Sequence, residues 1–308
     1  AALCAPRLAG MEVTASSPGK INLGLWVGAL ESYGYHPLLT AFQAVDLWDV
    51  VTVRSDDQMS LEINGSVDCA LVPHDERNVA WQAARVLAEH CGKEEAVALH
   101  IRKNIPVAGG MAGGSADAAA ALLALDALWE CGLDDSTLQQ LASTLGSDVP
   151  FSLHGQAAIG RDRGDLLTAV AIEKPLHFVL CPSEGALSTG AVYAEYDRLS
   201  PRASAPTAID PSFLAAWQAG DAEALAPLIH NDLQPAAISL MPELEALATQ
   251  IEKAGALRAA VSGSGPTMWG LASSAEHAGD IAQALRAEGI TTWVTQSSLE
   301  NPRLRLSR

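Results

Sequence analysis

The chain has 308 residues, of which 49% are hydrophobic, and a formal net charge of -17. That length accommodates one large domain or two ordinary ones around a real core. The acidic balance disfavours nucleic acid and anionic membrane surfaces as partners, and any anionic substrate must be held by local donors rather than by the overall field. Five cysteines (Cys4, Cys69, Cys91, Cys131 and Cys181) are odd in number, widely spaced and free of any C-x-x-C. They fit free thiols in a reducing cytoplasm better than a disulfide framework or a zinc site. No apolar run reaches the roughly 18 residues of a membrane helix. The residues before Met11 are too short and too mixed for a signal peptide, and Met11 reads as a candidate start.

In chain order, Val13 to Ser16 is a short strand that Ser17-Pro18-Gly19 breaks. From Lys20 the pattern alternates, with Ile21, Leu23, Leu25 and Val27 apolar, which predicts a half-buried strand. Lys20 and Asn22 then share its opposite face. Glu31 to Pro37 is a loop, and strands are expected at 50–53 and 61–63. Asn78 caps a helix over 79–90 that Gly92 ends. A strand at 97–101, a glycine loop, and a helix from about 115 to 130 follow. Asp135-Ser136 caps a helix over 137–145, and Gly146 to Pro150 is a loop. Short strands are expected at 157–161, 168–172 and 177–181, and a helix over 188–199. Ser200 to Pro206 is the best candidate for a loop or insertion. Helices near 211–219, 221–229 and 241–254 precede a strand at 258–261, a second glycine loop (262–267), a strand at 268–271, a helix over 274–288 and a last strand at 291–295. No internal repeat is visible. Strands and helices mix in both halves, so the class is α+β, divided near 155–175.

The first glycine loop, Pro106-Val107-Ala108-Gly109-Gly110-Met111-Ala112-Gly113-Gly114-Ser115-Ala116-Asp117, lies between a strand and a helix. That order aims the unpaired N–H groups and positive dipole end of a helix at an anion. Glycines remove the Cβ atoms that would hold a phosphate away from the backbone. No Lys follows them, so the loop is not a Walker A motif, and their spacing does not make G-x-G-x-x-G. The plainer alternative is a tight turn packing helix on sheet, which two or three glycines would satisfy; four within six residues favour an anion site. Ser115, at the cap position, has a hydroxyl able to reach a phosphate or a metal. Asp148, in Gly-Ser-Asp-Val-Pro, is by itself a turn residue, and Lys20 by itself a surface lysine. Beside a phosphate loop the two together supply what phosphoryl transfer to an alcohol needs: a carboxylate to take the hydroxyl proton and a cation against developing charge. Gly263-Ser264-Gly265-Pro266 is either a strand-to-strand turn or a ligand wall. Tyr35 and His36 are either ordinary loop residues or a stacking ring and a hydrogen-bonding edge for a planar base.

Ser17-Pro18-Gly19-Lys20-Ile21-Asn22-Leu23, the loop 106–117 and Val261 to Pro266 resemble, in order, the three motifs of the GHMP kinases. Gly34-Tyr35-His36 with Phe42 to Leu47, Gly146 to Phe151, Asp75 to Asn78 and His230 to Leu233 are similar to the branch that phosphorylates a cytidine diphosphate-linked methylerythritol in isoprenoid precursor synthesis. The likeness covers roughly residues 13 to 295. It implies an ATP-dependent cytoplasmic phosphotransferase using Mg2+, with small-molecule substrates and neither nucleic acid nor membrane as partner. Its fold would pair an N-terminal domain like domain 2 of ribosomal protein S5 (11–165) with a ferredoxin-like C-terminal domain (166–300). Lys20 and Asp148 would be catalytic. Pro106, Val107, Ala108, Gly109, Gly110, Met111, Ala112, Gly113, Gly114 and Ser115 would hold ATP. Asn22, Tyr35, His36 and Tyr193 would bind the acceptor, with the base between the two tyrosines. Ser115 is the nominee for the metal. Two departures are Tyr33, where the family usually has Asp, and Met111-Ala112, where Leu-Gly or Leu-Ala is commoner. A kinase of the same family acting on homoserine, mevalonate or a sugar, and a nucleotide-binding paralogue without catalysis, are the alternatives.

Overall fold

A computed structural model describes residues 12–32, 34–183, 185–199 and 205–307. The expectations placed on the residues up to Met11, on Cys4, on Tyr33 and on 200–204 lie outside them. Two sheets organise the chain. The first contains β1 (Glu12–Val27), β2 (Leu38–Ser55), β3 (Ser60–Gly65), β4 (Val97–Lys103), β5 (Ala157–Asp162), β6 (Leu166–Ala169), β8 (His230–Asn231) and β12 (Arg303–Ser307). The second is built from β7 (His177–Cys181), β9 (Arg258–Val261), β10 (Met268–Ala272) and β11 (Trp293–Gln296), in the order β11-β7-β10-β9.

β1 is one strand, not two. Pro18 and Gly19 do not break it; the register against β2 shifts there, from Pro18 opposite Trp48 to Lys20 opposite Ala44. On its other side β1 pairs with β12 over 12–16 and with β8 at 24–25. The proline therefore falls in the gap between two neighbours, where its missing N–H disrupts no ladder. β2 runs well beyond the expected 50–53, pairing with β5 through its first half and β4 through its second. β6 starts at Leu166, beyond the expected division, and still pairs with β5, while β12 brings the end of the described chain back to β1.

The helices are α1 (Val79–Cys91), α2 (Gly113–Leu128), α3 (Asp135–Leu145), α4 (Val149–His154), α5 (Thr189–Leu199), α6 (Pro211–Ala219), α7 (Ala222–Leu225), α8 (Gln234–Leu240), α9 (Glu243–Lys253) and α10 (Ala275–Ala287). α1 keeps its expected ends: the Asn78 side chain accepts from Ala80 N, and Gly92 closes it in the left-handed region. α2 is buried nearly all round, as an alanine- and leucine-rich helix without a polar stripe must be. It begins at Gly113, so Ser115 is in its first turn and not its cap; Ala112 holds the cap position at φ 58°. α3 likewise starts two residues early, capped by Asp134 instead of Asp135-Ser136. Residues 149–154 are helical with Asp148 at the N-cap position. The chain from 222 to 228 is a short helix followed by a 3-10 turn, and α8 was not anticipated.

A continuous apolar core joins the sheets, with Ile21, Leu39 and Val45 of the first sheet packed with Phe178 and Trp269 of the second and with Phe213 and Trp217 of α6. A buried polar contact lies within it. Trp217 Nε1 donates to Gln43 Oε1 at 2.8 Å, and the Gln43 amide donates to Ala44 O and Gln156 O. Trp217→Phe keeps most of the ring and strands a buried carbonyl oxygen, so it is expected to lower stability by about 1–3 kcal/mol. A lower urea midpoint with an unchanged m-value checks this.

Candidate active site

The two glycine loops are packed against each other. A Cβ on Gly109 would collide with Thr267 Oγ1, and one on Gly110, at φ 74°, with Ser262 O. Thr267 N donates to Gly109 O at 3.2 Å. Gly109 and Gly110 thus serve packing, while Gly113 and Gly114 open the helix start. A Cβ at Gly114 would find its nearest neighbour, Val79 Cγ2, only at 4.0 Å. The second loop is likewise both a turn from β9 to β10 and a wall of the cavity, through Gly263 and Ser264.

Lys20 reaches this junction from β1. Its Nζ is buried and donates to Asn22 Oδ1 at 2.8 Å and to Gly110 O at 3.0 Å. Asp148 Oδ2 stands 3.5 Å away, on a side chain 31% exposed, and the Phe42 ring centroid lies 5.6 Å from Nζ. The face shared by Lys20 and Asn22 is as the alternation required. Asn22 is fixed in turn, donating to Thr40 Oγ1 at 2.8 Å, and Thr40 donates to Gly24 O. Ser262 Oγ donates to Gly110 O from the opposite side at 3.0 Å. Asn231 holds the second loop by donating to Val261 O and Gly263 O, both at 2.9 Å.

A cavity of about 460 Å3 opens over these groups. Its wall takes in the apolar side chains of Leu71, Val72, Pro73, Val79, Pro106 and Val107, the glycine loop, and Lys20, Asn22, Asp148, Thr189 and Tyr193. Met111 is fully buried beneath, and neither it nor Ser115 belongs to the wall. Among the described residues no group of three or more His, Cys, Asp or Glu forms a metal cage. Mg2+ draws most of its ligands from phosphates and water; Ser115, in the first turn of α2, is not among the residues that line the wall.

The expected base-binding residues divide. His36 and Tyr193 are together, their ring centroids 5.1 Å apart and inclined by 35°. His36 Nδ1 donates to Gly28 O at 2.8 Å, and Nε2 lies 3.5 Å from Asp197 Oδ2. Burial first, and then the Asp148 carboxylate, hold the Tyr193 phenol well above its usual range. Tyr196, whose hydroxyl donates to Val27 O, is pushed up to about 12, chiefly by burial. Tyr35 stands outside the cavity wall, half exposed, with the Arg163 guanidinium 5.5 Å from its ring centroid.

Sequence reasoning gave no role to Arg163, Thr40, Phe42 or Lys103, all of which line the cavity. Among the described lining residues the cations are Lys20, Arg77, Lys103 and Arg163, and each is paired with a carboxylate: Asp148, Asp75, Asp49 with Asp117, and Asp165. Lys103 was findable, because it continues the inward phase of Val97, Leu99 and Ile101.

The loop geometry separates two glycine substitutions. Gly110→Ala strains a left-handed residue and drives a Cβ into the second loop, so it is expected to cost about 1–3 kcal/mol of stability and most of the activity. Gly114→Ala has room and should leave stability within about 0.5 kcal/mol, while raising KM for the nucleotide. Thermal melts beside steady-state kinetics distinguish the two.

Comparison with known proteins agrees with this arrangement. The family model for the GHMP kinases N terminal domain matches residues 78–156, and that for the GHMP kinases C terminal matches residues 213–291. The chain is 52% identical over 264 residues to the 4-diphosphocytidyl-2-C-methyl-D-erythritol kinase of Mycolicibacterium gilvum, covering 83% of this chain and 80% of that one. It is 51% identical over 258 residues to the kinase of the same name from Mycobacterium tuberculosis, with the same coverage. A crystal structure of 4-(cytidine 5'-diphospho)-2C-methyl-D-erythritol kinase superposes with a TM-score of 0.76 at 33% identity, over 92% of this chain and 99% of that one. Homoserine kinase from Cytophaga hutchinsonii shares the fold, with a TM-score of 0.70 at 19% identity, over 96% of this chain and 97% of that one. With its glycine loops, its lysine–aspartate pair and half-identical relatives over most of its length, the chain belongs to the GHMP kinase family.

Proposed function

We propose that the protein transfers the terminal phosphoryl group of ATP to the 2-hydroxyl of 4-diphosphocytidyl-2-C-methyl-D-erythritol, in the non-mevalonate route to isoprenoid precursors. The observation that carries this reading is the Lys20–Asp148 pair, 3.5 Å apart at the mouth of a glycine-rich helix start, in a chain half-identical to kinases named for that substrate. The phosphate loop, Lys20, Asp148, Asn22, Tyr35 and His36 fall in the half 11–165, and the half 166–300 adds Tyr193 and the second glycine loop, with β6 and β12 returning to the first sheet. The free thiols Cys69, Cys91, Cys131 and Cys181 suit a reducing cytoplasm.

The nucleotide lies along the cavity, its base on the apolar side chains of the wall and its phosphates on the backbone from Gly109 to Gly114. Loop amides carry much of the anion binding, because the cations in the wall already face carboxylates. Mg2+ held on the phosphates, with the Ser115 hydroxyl as the chain's nominee for a ligand, would neutralise part of their charge. The acceptor has its cytosine between Tyr35 and Tyr193 with His36 at its edge, and Asn22 contacts the polyol. Asp148, partly exposed and unencumbered by a capping bond, takes the proton of the 2-hydroxyl. Lys20 keeps that carboxylate in place and opposes the charge that develops on the transferred group. Its own position is set by Asn22 and Gly110 O, so it needs no rearrangement at the moment of transfer.

Asp148→Asn removes the proton acceptor without changing shape. It is expected to lower kcat by about 10²- to 10⁴-fold, with ATP affinity retained. A coupled ADP-release assay with calorimetric ATP binding reads both; near-normal turnover in the variant removes Asp148 from the mechanism. The same assay run on the cytidine-linked acceptor, homoserine and mevalonate tests the substrate. Turnover of homoserine with an inert cytidine-linked acceptor overturns the assignment.

A further inference from the structure

Beneath the glycine loop lies a buried cluster of two carboxyl groups and one ammonium. Lys103, the last residue of β4, is 2% exposed. Its Nζ donates to Asp49 Oδ2 of β2 and, at 2.7 Å, to Asp117 Oδ2 of α2. Asp49 is otherwise fully used, its Oδ1 accepting from Asn104 N and Ile105 N. Asp117 is not. Its Oδ1 is buried without a hydrogen-bond partner, and both Lys103 and Asp117 belong to the wall of the nucleotide cavity. The cluster sits directly under the start of α2, where a Cβ on Gly113 would come within 3.2 Å of Lys103 Nζ. The charged groups that act on Asp117 are Lys103 from β4 and Asp49 from β2. α1, packed alongside, buries Ala80, Ala83, Ala84, Leu87 and Ala88 and no charge.

When both carboxylates are ionised, two of them against one ammonium leave an excess negative charge in a low-dielectric wall, beside the proposed place of the nucleotide phosphates. Such a charge repels them, and poor screening makes the repulsion felt. We propose that Asp117 weakens the hold of the glycine loop on nucleotide and so speeds the release of ADP, making it a positioning residue that tunes affinity through the Lys103 cluster. The inference rests on the nucleotide reading of the cavity.

Two further features agree with it. Burial works against the Lys103 ammonium, yet the two carboxylates outweigh it and keep the group charged. Burial, with Asp49 adding to it, holds the Asp117 carboxyl well above the usual carboxylate range despite the pull of Lys103. The sign follows: at lower pH Asp117 keeps its proton and the repulsion is relieved, and as pH rises the charge appears and affinity falls. An asparagine at 117 fits the same geometry, its Oδ1 accepting from Lys103 and its amide at the position of the unpartnered oxygen.

The test is calorimetric binding of ADP and of a non-hydrolysable ATP analogue, with Mg2+, to the full chain and to Asp117→Asn. The pH series starts where the nucleotide's own phosphates are fully ionised. Asp117→Asn is expected to bind about three- to tenfold more tightly at the alkaline end, with the difference shrinking toward lower pH. A purely structural role predicts the opposite sign, because a disturbed loop binds more weakly. Unchanged or weaker binding by a folded Asp117→Asn throughout the series overturns the inference. Should that variant fail to fold, the unsubstituted protein decides alone: its affinity must fall as pH rises, and a flat profile rejects the idea. Absence of any nucleotide binding by the unsubstituted protein instead overturns the reading of the cavity.

Discussion

The backbone carbonyl of Gly110 is the point on which the site turns. Its two lone pairs are taken by Lys20 Nζ from β1 and by Ser262 Oγ from the second loop. Three chain segments remote in sequence are thereby fixed relative to one atom. The contact is possible only because Gly110 adopts a left-handed conformation and has no Cβ to meet Ser262 O. Without that close approach the lysine would lose one of its two acceptors, and the second loop its seat against the first. The glycine-loop backbone and the lysine proposed as the catalytic cation are therefore one construction.

A chain as acidic as this one must handle phosphates without help from its overall field. Each cation among the described residues of the cavity wall is paired with a carboxylate, which on the proposed reading leaves the backbone as the donor. Paired cations are fixed in direction, which favours orientation over raw attraction. The cluster under α2 goes one step further and sets two carboxyl groups against one ammonium. Tight retention of a nucleotide serves an enzyme poorly when that nucleotide must leave in every cycle.

Much of this was legible before any coordinates. The alternation from Lys20 placed Lys20 and Asn22 side by side, and the order of strand, glycines and helix located the cradle. What escaped had physical reasons. Ser17-Pro18-Gly19 looks like a break because a lone strand cannot tolerate it; the long β1 can, having different neighbours on either side of it. Ser115 looks like a cap because serine commonly is one, but Ala112 takes the left-handed corner and the helix starts earlier. Tyr35 and His36 are adjacent in sequence, yet one ring turns outward beneath Arg163 and the other inward against Tyr193, a divergence no local pattern encodes. Asp49 and Lys103 were marked by phase alone: each extends the inward alternation of its strand, through Val53 and Val51 in β2 and through Leu99 and Ile101 in β4. A charged residue in such a phase needs a partner, and the partner Asp117 is a lone acid on the apolar first half of α2.

The return of β12 to β1 bears on how substrates enter. The chain leaves the first sheet after β6, comes back at β8, leaves again for β9, β10 and β11, and comes back once more through Ser298, whose N–H donates to Ala44 O, and through β12. Two halves joined by a single linker can swing apart like a hinge. Two halves sewn together at several seams cannot, because any wide rotation would have to unzip the ladders of β1 with β8 and β12. The ladders of β1 with β8 and β12 therefore oppose a wide opening of the cleft.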